Sequence, residues 1–179
     1  KRIPRIWKPD IVICGGDMVA GMGVHDTLVM RKMWEGFAKH VTKPLQDNNI
    51  PFAFTLGNHD GTVSHQDERK FTQRYWSNRV NTLNINFIDK SHFPAYYSFT
   101  KDNVFFISID ASSPSMPKEN IEWLETQLKS KEAQQSKIRF VLGHIPLYSV
   151  AQERDSKGNV LESHQQLQQL LEKYNVHSY

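Results

Sequence analysis

Polar residues of metal-binding type follow four of the predicted strands in this sequence. They are Asp17, then Asn58, His59 and Asp60, then Asp110, and finally His144. In open α/β sheets, ligands bind outside the carboxyl ends of the strands, so parallel neighbouring strands would gather these side chains along one edge. Carboxylate, amide and imidazole groups form a mixed set of oxygen and nitrogen donors, which suits Mn, Fe, Zn or Co better than a metal that prefers thiolates. The pattern therefore predicts a metal centre that folding assembles.

The elements that must position these residues begin with two apolar runs. Residues 11–14 end at Gly15-Gly16-Asp17, and residues 51–56 run into Gly57-Asn58-His59-Asp60. Between them, from about residue 26 to residue 48, apolar residues recur at helical spacing, with Asp26 or Thr27 as N-cap and Pro44 as a break or a kink. The order strand, helix, strand predicts a βαβ unit with parallel strands.

The rest of the chain also alternates strands with helices. Residues 61–95 are polar and predict a long connection with one short helix at about 66–76, a length typical of a functional lid. A hairpin around Lys101-Asp102-Asn103 joins strands 96–99 and 104–109, and Pro117 opens a helix that runs to about residue 131. A strand at 138–142 and an amphipathic helix at 160–174 follow. No internal repeat or domain boundary interrupts this pattern, which predicts one α/β domain over residues 1–179.

Composition excludes several classes of protein. The 179 residues are 39% hydrophobic and 23% charged, as in one globular domain. A net charge of +3, with the charges spread along the chain, gives little support for a nucleic-acid partner. No apolar stretch approaches the roughly 20 residues that cross a bilayer, so we predict no membrane span. The single cysteine, Cys14, cannot form an internal disulfide and is interpreted as a small buried residue.

The ordered motifs carry a resemblance to a known family. Gly16-Asp17, Gly57-Asn58-His59-Asp60 and Gly143-His144, each at a predicted strand end, resemble the calcineurin-like metallophosphoesterases. Residues 96–110, Trp123-Leu124 and residues 144–149 further resemble the acid-phosphatase-like branch. The resemblance covers nearly the whole chain. It implies an α/β fold in which a mixed β-sheet sandwich is flanked by helices.

The resemblance also implies roles for individual residues. Asp17 would bridge two divalent metal ions, and Asn58 and His144 would bind one of them. His59 would bind a phosphoryl oxygen and protonate the leaving oxygen, and Asp60 would orient the His59 ring. The implied reaction is metal-dependent hydrolysis of a small phosphate ester, with a phosphomonoester favoured, by a metal-bridging hydroxide at a dinuclear site. Two dications suit this chemistry because they activate water and neutralise the phosphoryl group.

The sequence departs from the family pattern in three places. The family's Asp-x-His motif on the first strand and its Gly-His-x-His motif on a late strand are not found. We therefore expect residues 1–179 to be a partial domain that lacks four metal ligands and does not bind both ions tightly. Purple acid phosphatases carry a metal-binding tyrosine three residues after the bridging aspartate. Ala20 occupies that position here, so an ordinary divalent pair is expected instead of a ferric-tyrosinate site.

Two other functions remain open at this point. A phosphodiesterase or nuclease would need an open groove with phosphate-contacting Lys or Arg on both sides. Alternatively, the fold could be a catalytically incomplete scaffold that binds other proteins, although a scaffold has no use for His59 and Asp60. Asp110 is either a site residue or the cap of a turn through Ser112. Three basic residues on one predicted helix either attract phosphate or form a solvated face: Arg69, Lys70 and Arg74.

Overall fold

Two β-sheets form the centre of the structure, a computed structural model that describes residues 3–149 and 151–179. Strands β1 (Val12–Cys14) and β2 (Phe52–Phe54) form a parallel pair. The second sheet has the order β3 (Asn86–His92), β4 (Tyr96–Lys101), β5 (Val104–Ser108) and β6 (Ile138–Leu142). Its strands are antiparallel except for the parallel pair β5–β6. The mixed α/β fold is therefore as predicted.

Seven α-helices accompany the sheets in the described residues. They are α1 (Thr27–Phe37), α2 (Lys43–Gln46), α3 (Asn58–Gly61), α4 (Gln66–Ser77), α5 (Lys118–Lys129), α6 (Lys131–Gln135) and α7 (His164–Lys173). The side chain of Asp26 caps α1, accepting hydrogen bonds from Leu28 N at 2.7 Å and Val29 N at 3.4 Å. A π-helical segment, Ala38–Thr42, links α1 to α2. Because Pro44 has no N–H and crowds the preceding turn, this wider segment lets the helix continue past it.

Three apolar clusters show how the layers pack. Trp34 of α1 and Trp76 of α4 pack against β2. The centroids of the Trp76 and Phe54 rings are 4.3 Å apart. A second cluster fills the space between the sheets, and β5 packs against α5 and α7 in a third. None of the helices in the described part of the chain is long and apolar enough to cross a membrane.

Side chains tie the end of β2 to the second sheet. The buried Tyr97 hydroxyl donates to Phe54 O at 2.5 Å and accepts from Phe54 N at 2.9 Å. Next along the chain, the Thr55 hydroxyl donates to Ile109 O at 2.9 Å. These bonds fix the point at which the chain leaves β2, and the loop that follows carries Asn58 and His59.

The segment 61–95 differs from its prediction. It contains the predicted helix, as α4, but also β3, and both belong to the packed layers, so the interpretation as a lid was wrong. Tyr75 and Trp76 of α4 are buried core residues. Strand β3 escaped the sequence analysis because it lies at a sheet edge, where half-buried Phe87 and Asp89 alternate with exposed neighbours.

Strands β1 and β6 each carry apolar residues at consecutive positions, a pattern typical of a buried strand, yet both are partly open to solvent. Ile13 of β1 and Ile138 of β6 are each 36% exposed, and Cys14 is half-buried. Strand β1 lies at the edge of its two-stranded sheet. An apolar run therefore predicted these strands correctly but not their burial.

Candidate metal centre

The loops that follow β1, β2 and β6 meet at one end of the sheets and approach one another closely there. After β1, Gly16 has φ +100° and Asp17 has φ +53°, so the chain turns sharply. A Cβ added to Gly16 would lie 2.6 Å from His144 Nδ1 and 2.8 Å from Gly57 Cα. A Cβ on Gly57 would overlap the Asp17 carboxylate. Both glycines are needed because the loops approach so closely.

Asp17, Asn58 and His144 converge at this point. His144 Nδ1 lies 2.7 Å from Gly15 O. Because a carbonyl can only accept, Nδ1 carries a proton, and in the neutral ring Nε2 then presents a lone pair. That Nε2 lies 3.0 Å from Asn58 Oδ1 and 3.4 Å from Asp17 Oδ2. Three acceptor atoms thus face one another, an arrangement that is unfavourable unless a cation or a proton lies between them.

The donor set fits one metal ion. A carboxylate, an amide oxygen and an imidazole nitrogen suit a divalent transition metal. A carbonyl that holds the other ring nitrogen, as Gly15 O does for His144, is the usual support of a metal-binding histidine. Within the described residues no group of three His, Cys, Asp or Glu side chains could hold a metal. The third donor of this set is an amide, Asn58.

His59 lies beside these donors. Its backbone N–H donates to Asp17 Oδ1 at 2.9 Å, which orients the carboxylate. Its side chain lines a cleft of about 440 Å³ together with the three donors. The hydroxyl-bearing Thr62 and Ser112 contribute to the wall of the same cleft. Arg154 also lines the cleft and is the one Lys or Arg among the described lining residues.

Asp60 does something other than predicted. Its side chain is fully buried, with Oδ2 accepting from Met18 N at 2.6 Å and Oδ1 accepting from Gly57 N at 2.6 Å. Burial outweighs these donors and raises the pKa of Asp60 to about 6. Both oxygens accept from backbone amides, and no bond from Asp60 to the His59 ring is found in the described part of the chain, so here Asp60 joins the two loops.

Two residues left open by the sequence form a buried ion pair. Arg69 of α4 pairs with Asp110, whose Oδ1 also accepts from the Ser112 hydroxyl at 2.6 Å. Arg69 is therefore neither a solvated residue nor a lining residue of the cleft. Lys70 and Arg74, by contrast, are exposed.

Sequence reasoning missed Glu68. This residue is 2% exposed, and both carboxylate oxygens are buried without a hydrogen-bond partner among the described residues. Burial, with the nearby charge of Asp60, raises the pKa of Glu68 to about 7. The sequence indicates the burial of Glu68 through helical spacing, because it lies four residues before Thr72 and eight before Trp76 on the buried face of α4.

Comparisons with known proteins show which fold and which family this chain shares. The fold is similar to that of the purple acid phosphatase PPD1 from yellow lupin (Lupinus luteus) seeds, with a TM-score of 0.68 and 19% sequence identity. The match covers 98% of this chain but 30% of the phosphatase chain. No match was found among curated protein sequences. The family model described as calcineurin-like phosphoesterase matches residues 1–179, so the chain belongs to that family.

Proposed function

We propose that this chain carries part of the metal centre of a phosphoester hydrolase that acts on small phosphomonoesters. The convergence of His144 Nε2, Asn58 Oδ1 and Asp17 Oδ2 at the cleft supports this proposal most strongly. These residues would hold a divalent ion such as Mn, Fe, Zn or Co, with Asp17 shared with a second ion in a dinuclear site. Such ions, when bound, activate water and neutralise the phosphoryl group. Membership of the calcineurin-like phosphoesterase family favours the same reaction.

His59 is the proposed general acid. Its ring lines the cleft and has no hydrogen-bond partner among the described residues, so it is available to a substrate oxygen. Protonation of the leaving oxygen by a positioned group typically contributes about 10²- to 10⁴-fold. Asp60 supports the reaction indirectly, because it holds the loops of Asp17 and Asn58 together.

The charges around the cleft favour a phosphomonoester over a nucleic acid. A diesterase acting on nucleic acid would need cationic side chains along both sides of the phosphate. Arg154 is the one such side chain among the described lining residues. We infer that Arg154 contacts the anionic part of a compact substrate. A protein-binding scaffold would not require three facing acceptor atoms.

Metal binding is the first test. The chain is incubated with Mn²⁺ and desalted, and bound metal is counted by elemental mass spectrometry. We expect measurable binding of at most one ion per chain, because the described residues give three donors to one position. His144→Ala should abolish binding, whereas His40→Ala, which changes an exposed histidine of the π-helical segment, should not. Wild-type binding by His144→Ala would refute the proposed centre.

Turnover is tested separately with p-nitrophenyl phosphate and its bis ester. We expect the monoester to be the better substrate. His59→Ala should keep the bound metal and lose about 10²-fold or more of kcat. Equal activity of His59→Ala and the wild type would remove His59 from the proposed mechanism, and a preference for the diester would favour the alternative substrate class.

A further inference from the structure

Arg69 makes buried contacts near the cleft, both with a carboxylate and with a backbone carbonyl. It reaches from α4 to Asp110 and to the carbonyl oxygen of Gly61, and its side chain is 12% exposed. The guanidinium also lies 3.4 Å from the Ser112 hydroxyl. Ser112 in turn lies 3.0 Å from Gly61 O. Because the single Ser112 proton goes to Asp110 Oδ1 at 2.6 Å, Arg69 is the side chain that donates to the Gly61 carbonyl.

That carbonyl ends the helix of the candidate metal centre. Gly61 is the last residue of α3, which begins with Asn58 and His59. The other end of α3 is held by Asp60, through Gly57 N. The helix has little room to shift, since a Cβ on Gly61 would lie 2.8 Å from Leu56 Cβ. A displacement at Gly61 would therefore be passed on to the two side chains that face the cleft.

We propose that Arg69, paired with Asp110, is a positioning residue that fixes α3 so that Asn58 and His59 face the cleft. This inference rests on the proposed function for its catalytic consequence. A buried ion pair by itself adds little to stability because both charges lose their hydration. The pair instead fixes the orientation of the groups it joins. The planar guanidinium of arginine binds a carboxylate and a carbonyl at once, which the ammonium group of lysine cannot reproduce.

The test compares Arg69→Ala and Arg69→Lys with Lys70→Ala, the exposed neighbour on the same helix. The Mn²⁺ dissociation constant is measured by calorimetry. Loss of a residue that supports metal ligands typically costs about 10- to 100-fold in metal affinity, and we expect this for Arg69→Ala. Guanidinium ion at a non-denaturing concentration should restore part of the affinity. Arg69→Lys should stay weakened, and Lys70→Ala should match the wild type.

Amide hydrogen exchange gives a readout that does not depend on metal or activity. In Arg69→Ala we expect faster exchange at residues 57–61, while β5 keeps its wild-type rates. Unchanged exchange and unchanged Mn²⁺ affinity in Arg69→Ala would overturn the inference. So would uniform acceleration that includes β5, because it would show a general loss of stability. If the wild-type chain binds no Mn²⁺, the proposed function fails, and exchange at residues 57–61 alone decides whether Arg69 orders α3.

Discussion

Replacing Glu68 with glutamine should change how stability depends on pH. Glu68 is buried without a hydrogen-bond partner among the described residues, and its pKa is raised from 4.5 to about 7. At pH 4 the carboxyl is protonated in both the folded and the unfolded chain. Between pH 4.5 and 7 the unfolded chain releases this proton while the folded chain retains it, so the free energy of unfolding falls as the pH rises. Above pH 7 the loss is complete.

The size of this loss follows from the shift. A change from 4.5 to about 7 corresponds to no more than about 3.4 kcal/mol, since one pKa unit is about 1.36 kcal/mol. Glu68 borders a small cleft of about 110 Å³, where solvent screens its charge. We therefore expect a little less than half of that value, roughly 1.5 kcal/mol. Asp60 acts in the same direction, because its pKa rises from 3.8 to about 6.

Urea unfolding followed by tryptophan fluorescence, at pH 5 and pH 8 in the presence of a chelator, measures the effect. Glu68→Gln should gain roughly 1.5 kcal/mol relative to the wild type between the two pH values. Glu35→Gln, an exposed position on α1, should track the wild type at both. If the difference between Glu68→Gln and the wild type is the same at pH 5 and pH 8, the carboxyl is not protonated on folding and the reasoning fails.

Three further predictions concern packing and the loops. Tyr97→Phe leaves Phe54 N without its partner and should lower the free energy of unfolding by about 1–3 kcal/mol in urea unfolding, whereas the exposed Tyr148→Phe should change it by less than about 0.5 kcal/mol. Gly57→Ala should abolish Mn²⁺ binding in calorimetry because its Cβ would overlap the Asp17 carboxylate. Gly36→Ala, which meets open space on α1, should bind Mn²⁺ as the wild type does. Asp26→Ala removes the cap of α1 and should cost about 1 kcal/mol, and an unchanged melting temperature would contradict the capping role.

Local features of this chain could be predicted from sequence. The strand ends before Asp17 and Asn58 followed from apolar runs stopped by glycines. The sequence offered Asp26 or Thr27 as the cap of the next helix, and the structure uses Asp26. The hairpin at Asp102 and Asn103 was also readable, because both residues tolerate the positive φ values, 49° and 63°, that its tight turn uses.

Features that depend on distant pairs could not be predicted. Glu68 appears in the sequence as one more charge on a polar helix, and only folding shows that it is buried near Asp60. Arg69 likewise finds Asp110 across 41 residues. Strand β3 carries too few apolar residues to be recognised from its own sequence. Its strand conformation is stabilised by the hydrogen bonds of its pairing with β4. Hydrophobic periodicity reports the face of an element, not the partner that this face will meet.

The electrostatics around α3 explain why this end of the fold suits a cation. Asp60 of the short helix lies close to Asp17 and Glu68, and the nearby guanidinium of Arg69 is already paired with Asp110. Burial raises the pKa values of Asp60 and Glu68, and the charge of Asp17 raises both further, so their charged forms are disfavoured. A divalent ion held by Asp17 would favour their charged forms, because its field offsets the repulsion. The Tyr97 hydrogen bonds and the aromatic cluster around Trp76 stabilise the fold elsewhere. They offset the unfavourable placement of these carboxylates, as is expected where function needs a site that lowers stability.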